Sequence, residues 1–361
     1  AMTRGFFNPE VLTMKTMLFT PVTIGKMTLR NRISVPPMCM YHATDGIASD
    51  WHKVHYAKMA SSGASVVCIE ATAVTPNGRI SGGCLGLWQD RQIEGFSGIV
   101  RAMRAADPET RVMVQLNHAG RKGGERAPWI GGYLTEEEGG WKPIGPSAVA
   151  AGKDSPVPEA MSEGGIVAMV QAFANAAVRA RQAGVDAIQI HSAHGYLLHQ
   201  FLSPLSNQRT DRFGGSFENR IRFPVAVFEA VKHAVPDLTV GVRVSATDWA
   251  EGGWNLQETI RYVKVLKELG CDFVDVSTGG LTDAQQIPVT YGRNRAADLC
   301  RGTYQDGVPS RDLLSRRHGR CGRRGPGNAQ ESPLGLAGGA RFARRRAVAG
   351  SLPARHALKR I

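Results

Sequence analysis
The sequence predicts an α/β fold of the (β/α)8 type, a TIM barrel whose last two strand and helix units are not recognisable. Three segments share one layout of glycine, β-branched apolar run and polar exit residue: GASVVCIE at 63–70, GVDAIQIH at 184–191 and GCDFVDVS at 270–277. Each follows an amphipathic helical pattern, so the glycine stands where a helix C-terminal cap belongs. With the strands that fit between them, helix and strand alternate through six units. No GxGxxG follows the first strand, which weakens the rival reading of a doubly wound dinucleotide-binding sheet.

In chain order, RISVPPM reads as a strand ending near Met38, and HKVHYAKMASS as the helix leading into GASVVCIE. RVMVQLN is a strand ending near Asn117, short and apolar enough to be buried on both faces. IVAMVQAFANAAVRARQA is the helix before GVDAIQIH, and LTVGVRVS is a strand ending near Ser245. The helix LQETIRYVKVLKEL precedes GCDFVDVS and has a start signal, because Asn255 and Glu258 can form a capping box.

A length of 361 residues suits one large barrel or two ordinary domains. The formal charge of +13 is unevenly placed: residues 293–361 carry 15 Arg and one Lys against four acidic residues, net +12, whereas residues 1–292 balance at +1. That balance is ordinary for an enzyme of small molecules, so the basicity belongs to the tail. The cysteines Cys39, Cys68, Cys84, Cys271, Cys300 and Cys321 form no CxxC pair and no zinc-like spacing with histidine. Free thiols and no metal are therefore expected. No 18-residue apolar run occurs, and the opening residues lack the apolar core of a secretory signal. The expectation is a cytoplasmic protein with no membrane partner.

A barrel gathers its strand exits at one face. The candidates there are Pro37, Met38, Cys39, Glu70, Ala71, Gln115, His118, His191, His194, Arg243 and Ser277. The densest stretch is HSAHGYLLHQFLSP at 191–204, which sets His191, His194 and Tyr196 within six residues at the end of a buried strand. Two imidazoles and a phenol so placed read as a reaction centre. His199, in LLHQFL, reads as an ordinary helix residue. Glu70 is the single acid in the set, which suits an electron-rich, anionic ligand better than a divalent metal. A metal-dependent barrel hydrolase using His191, His194 and Glu70 is the lesser enzyme alternative. Nucleic-acid binding through the tail is the alternative from another class, although Tyr304 and Phe342 are the tail's only aromatics.

Taken in order and spacing, LFTPVTIGKMTLRNRI, PPMCMY, EATAVTPNGRI, QLNHAGRK, HSAHGYLLHQFLSPLSNQRTDRFGGSFENR, RVSATDW and STGG resemble the old yellow enzymes. These are flavin-dependent ene-reductases, and the likeness is to their bacterial xenobiotic reductase branch, over about residues 18–292. The resemblance implies FMN at the strand exits, with Pro37, Met38, Cys39, Ala71 and Gln115 around the isoalloxazine and Arg243 near its N1 edge. A fixed guanidinium there would stabilise the negative charge of a reduced flavin. The resemblance further implies that His191 and His194 donate hydrogen bonds to the carbonyl or nitro oxygen of an activated alkene. Its β-carbon would take hydride from flavin and its α-carbon a proton from Tyr196, after NADPH or NADH had reduced the flavin. Cys39 would tune the flavin, and Tyr41 and Trp129 would line the pocket. The implied partners are the alkene and NAD(P)H, with no nucleic acid, in a homo-oligomer of two or four copies.

After Gly292 the resemblance stops, although the family would continue with two more strand and helix units that hold the FMN phosphate. The sequence there is rich in Arg, Gly, Ala and Pro, like a GC-rich coding region read in a shifted frame. A barrel lacking two strands would have two open edges and no standard phosphate site. The expected organisation is an N-terminal extension at 1–17, an FMN-binding barrel domain at 18–292 and an atypical tail at 293–361.

Overall fold
A computed structural model describes residues 17–287 of the chain. It begins with an antiparallel hairpin, β1 (Val22–Ile24) and β2 (Met27–Leu29). Six parallel strands follow: β3 (Ser34–Val35), β4 (Val66–Ala73), β5 (Arg111–Asn117), β8 (Ala187–Ser192), β9 (Thr239–Ser245) and β10 (Val274–Ser277). A short separate pair, β6 (Ile144–Gly145) and β7 (Glu159–Ala160), lies between β5 and β8 in the chain. The order in the sheet repeats the order in the chain, without the reversal of a doubly wound sheet. Six strands of the predicted barrel, with the five outer helices between them, are therefore present in the described residues.

The hairpin shows how the sheet curls. Met27 and Leu29 share an apolar cluster with Val66 and Cys68 of β4, Met113 of β5 and Ala187 of β8, against which Phe273 also packs. On the far side, Lys26 N donates to Thr239 Oγ1 of β9 at 2.9 Å. One hairpin thus touches both halves of the sheet.

The outer layer comprises α1 (Asp50–Ala60), α2 (Ile93–Ala106), α3 (Glu163–Ala183), α5 (Phe217–Ala234) and α6 (Leu256–Glu268), each packed on the next. Their apolar faces and the outer faces of the strands form one large core, including Phe96, Ile99, Phe173, Val227 and Phe228. Ser162 caps α3 by accepting from Gly165 N at 3.1 Å, and Gly184 ends it at φ +92°. The glycine opening each predicted strand thus has a helix to terminate. Among the described residues, no helix is long and apolar enough to cross a membrane.

Three expectations need correction in detail. The strand predicted to end near Met38 stops at Val35, because Pro36 and Pro37 have no N–H to give a neighbour. The box at α6 is half formed: Asn255 Oδ1 accepts from Glu258 N at 3.1 Å, but the Glu258 carboxylate accepts from the Asn255 side-chain amide at 3.2 Å and pairs with Arg220 in place of the Asn255 backbone N–H. β4 runs on to Ala73, past the expected exit at Glu70. The tail at 293–361, with Cys300 and Cys321, and nearly all of the 1–17 extension lie outside the described residues. The other four cysteines are free thiols.

Candidate active site
The extension of β4 contains a bulge that sorts its exit residues. Ile69 pairs with Val114 and Ala71 with Gln115, so Glu70 is the extra residue. Its carboxylate turns towards α1, accepting from Met40 N and lying 3.4 Å from His52 Nε2. Ala71 turns the other way into a cluster with Cys84 and Ala119, against which Cys39 and Tyr196 pack. The hydrolase alternative required Glu70 beside the histidine pair, and the bulge directs that carboxylate to His52 instead.

Inside the barrel, register aligns a polar row. Gln115 lies opposite Gln189, and His191 opposite Arg243, which in turn pairs with Asp275. Gln115 Nε2 donates to Gln189 Oε1 at 2.7 Å, Gln189 Nε2 to Asp275 Oδ2 at 3.0 Å, and Arg243 Nε lies 3.2 Å from the same carboxylate. Pro37 lines a cavity of about 490 Å³ with Gln189 and Asp275. Met38 belongs to the same segment and is 45 % exposed.

Three rings converge at the end of β8. The His191 ring lies 5.1 Å from that of His194 and 5.0 Å from that of Tyr196, edge to face in both cases. His191 Nδ1 accepts from Ala193 N at 3.3 Å, which leaves the proton of a neutral ring on Nε2. That Nε2 is 3.4 Å from His194 Nδ1, and His194 Nε2 is 2.6 Å from Ser277 Oγ. Tyr41 meets Trp129 at 5.5 Å, although Trp129 is 73 % exposed. Of the other predicted exits, His118 is buried and accepts from Gly120 N through Nδ1 at 2.9 Å.

The turn carrying these rings is tightly held. His194 has φ +57°, and its N–H donates to Ser245 Oγ at 3.0 Å while its carbonyl accepts from Lys122 Nζ at 3.2 Å. Gly195 follows at φ +74°, where a Cβ would lie 2.2 Å from the Gly280 carbonyl oxygen. Gly195→Ala is therefore expected to cost about 2–4 kcal/mol, through backbone strain and overpacking together. The check is the denaturant midpoint, and a variant as stable as the parent would contradict this.

His199 is not an ordinary helix residue. It lies in α4 (Leu197–Leu202), fully buried, accepts from Gly195 N through Nδ1 at 2.9 Å and pairs with Asp248 through Nε2 at 2.9 Å. Sequence reasoning also missed Gln189 and Asp275. Each stands two residues before a chosen exit residue, His191 or Ser277, so the period-two alternation of a strand could have found both. Nothing local in the sequence ties His199 to Asp248.

Electrostatically the site favours neutral rings. Burial, reinforced by Arg243 and His199, lowers the His194 pKa to about 3. Burial, with His194 and Arg243 adding, takes His191 well below 6.5, and burial lowers His118 to about 3. Burial likewise keeps the Tyr196 phenol protonated, well above 10. Because the folded-state histidine values lie below the unfolded value of about 6.5, the unfolded chain binds protons first on acidification. Stability is therefore expected to be full above about pH 6.5 and to fall towards pH 3, with a slope of up to about 1.4 kcal/mol per pH unit for each ring. Urea midpoints at pH 7 and pH 5 check this, and equal midpoints would contradict it.

A family model described as NADH:flavin oxidoreductase / NADH oxidase matches residues 17–301. The chain belongs to this family. Among NADH:flavin oxidoreductase relatives, the NADPH dehydrogenase of Bacillus subtilis strain 168 is 43 % identical over 313 residues, covering 83 % of this chain and 88 % of that protein. Among solved structures, morphinone reductase is 27 % identical at a TM-score of 0.65, covering 79 % of this chain and 77 % of its own. The old yellow enzyme homologue from Zymomonas mobilis is 28 % identical at a TM-score of 0.65, covering 75 % of this chain and 78 % of its own.

Proposed function
We propose that the chain is an FMN-dependent NAD(P)H oxidoreductase that reduces activated alkenes, with His191, His194 and Tyr196 acting on the alkene. One observation carries this reading: Tyr196 packs in the same cluster as Cys39 and Ala71, and His191 stands in register with Arg243. The residues expected around a flavin and those expected around an alkene thus meet in one place.

The row inside the barrel suits FMN. Ala71 offers only a methyl, so a flat ring can approach it closely, and Gln115 supplies an amide for a pyrimidine edge. Among the described residues Arg243 is engaged only through Nε, leaving its terminal nitrogens free for an anionic ring edge. Pro37, Met38 and Cys39 would border the ring. Bound FMN would supply a two-electron carrier that takes hydride from NADPH or NADH and yields it to an alkene β-carbon.

The side chains supply the remainder. When the Ser277 hydroxyl donates to His194 Nε2, the proton of that neutral ring sits on Nδ1. Two N–H bonds, from nitrogens 3.4 Å apart, then converge on a carbonyl or nitro oxygen and stabilise the negative charge it gains as hydride arrives. Tyr196 gives its proton to the α-carbon, because a developing enolate is basic enough to take it from a phenol.

The direct test is anaerobic. Protein incubated with FMN and desalted should keep a flavin absorbance band, NADPH should bleach it, and 2-cyclohexenone should restore it with formation of the saturated ketone. A band that bleaches but is not restored by any enone, enal or nitroalkene would refute the reading. We also propose that the reading frame shifts near residue 293, and resequencing that finds the frame intact would rule this out.

A further inference from the structure
The turn at 193–196 places His194 between two clamped peptides, and one clamp leads away from the alkene site into the core. His199 Nδ1 accepts the Gly195 N–H at 2.9 Å, so the proton of a neutral His199 ring lies on Nε2, which is 2.9 Å from Asp248 Oδ1. The second carboxylate oxygen, Oδ2, accepts from Ser203 Oγ at 2.6 Å and from Trp254 N at 2.7 Å. His199, Ser203 and Asp248 are all fully buried. The order admits no reversal: a proton on Nδ1 would face the Gly195 N–H, and Nε2 would face a carboxylate with nothing to offer it.

We propose that His199 and Asp248 are positioning residues of the reduction site, a buried imidazole–carboxylate couple that fixes the Gly195 peptide and thereby the angle between His194 and Tyr196. This rests on the proposed function in naming what is positioned. His194 is held in the left-handed region at φ +57°, a conformation that non-glycine residues keep only when their surroundings impose it. Ser245 fixes the peptide before His194, Lys122 its carbonyl, and His199 the amide after it. Without His199 that amide would be a buried donor with no acceptor, and the turn would relax towards a more common backbone. Outer partners that fix ring orientation in metal sites contribute about 10–100-fold to function, and a similar effect is expected here.

Asp248→Asn tests the couple by chemistry rather than size. Whichever way the amide is turned, its NH2 meets a donor, either His199 Nε2–H or Trp254 N–H, and the first arrangement drives the His199 proton onto Nδ1 against Gly195. His199→Asn retains an acceptor near Gly195 N, whereas His199→Leu has none. With the FMN-loaded full chain, titration with 4-hydroxybenzaldehyde, whose phenol oxygen mimics the enolate, is expected to give about tenfold or weaker binding for Asp248→Asn and His199→Leu, and recovery within about threefold for His199→Asn. Equal affinity in all three, with only the melting temperature lowered, would make the couple purely structural and overturn the proposal. Nitrogen NMR of the parent protein gives a second arm that needs no variant: Nε2 of His199 should carry the proton and Nδ1 none, and the opposite tautomer would overturn it. Loss of the flavin band from the parent would count against the proposed function, while the tautomer would still decide this inference.

Discussion
Tyr196→Phe is expected to slow reduction of 2-cyclohexenone by about 10²–10⁴-fold, the usual contribution of a placed general acid. The substitution removes one oxygen from a partly buried ring and leaves its packing against the Ala71 cluster intact, so the fold should tolerate it. Burial, with Cys39 and Glu125 adding, holds the phenol well above its ordinary value of 10, so the hydroxyl carries its proton across the whole working range. The loss should fall on one step only. Flavin reduction by NADPH involves no proton on carbon and should proceed at the parental rate. A quinone, whose incoming protons end on oxygen, should still reoxidise the variant within about threefold of the parent. Stopped-flow measurement of both half-reactions separates these outcomes. Equal losses with enone and quinone would remove Tyr196 from the proton path.

His191→Ala should reduce enone turnover by about 10²–10³-fold, the loss seen when one donor to a developing oxyanion is deleted. The His191 ring is 3 % exposed and stays neutral, because burial and its cationic neighbours disfavour the imidazolium. Its Nε2–H therefore offers a directed hydrogen bond without the cost of a buried charge. On the proposed reading, deletion would leave His194 alone opposite the oxygen, and one donor would then carry the charge that builds during hydride arrival. The decrease should appear in kcat and in kcat/KM together, since the interaction strengthens in the transition state. Flavin absorbance reports retention of the cofactor in the same sample. Turnover within threefold of the parent would show that the oxygen is held elsewhere.

The contrast between what the sequence disclosed and what it hid has physical causes. Strands such as RVMVQLN were legible because burial on both faces demands a continuous apolar run, and β5 spans the predicted residues. The exit His191 was legible for the same reason, standing near the end of such a run, and Arg243, inside β9, lies in register with it. Glu70 misled because a bulge reverses the side-chain alternation of β4, and no residue type marks that insertion. The strand at 34–35 was overextended because apolar character persists through prolines that cannot join a ladder. His199 was hidden because its partner lies 49 positions on, at a distance no local pattern encodes. Periodicity reports which side of an element is buried, and it says nothing of which buried polar groups find one another.

The most direct measurement of the central claim is the crystal structure of the FMN-loaded protein soaked with 4-hydroxybenzaldehyde. The phenol oxygen should lie within about 3.2 Å of both His191 Nε2 and His194 Nδ1, with the ring stacked on the flavin and its edge facing Tyr196. An aldehyde bound outside this group of rings, or an oxygen held by Arg243 or Lys122 with both imidazoles unengaged, would contradict the account.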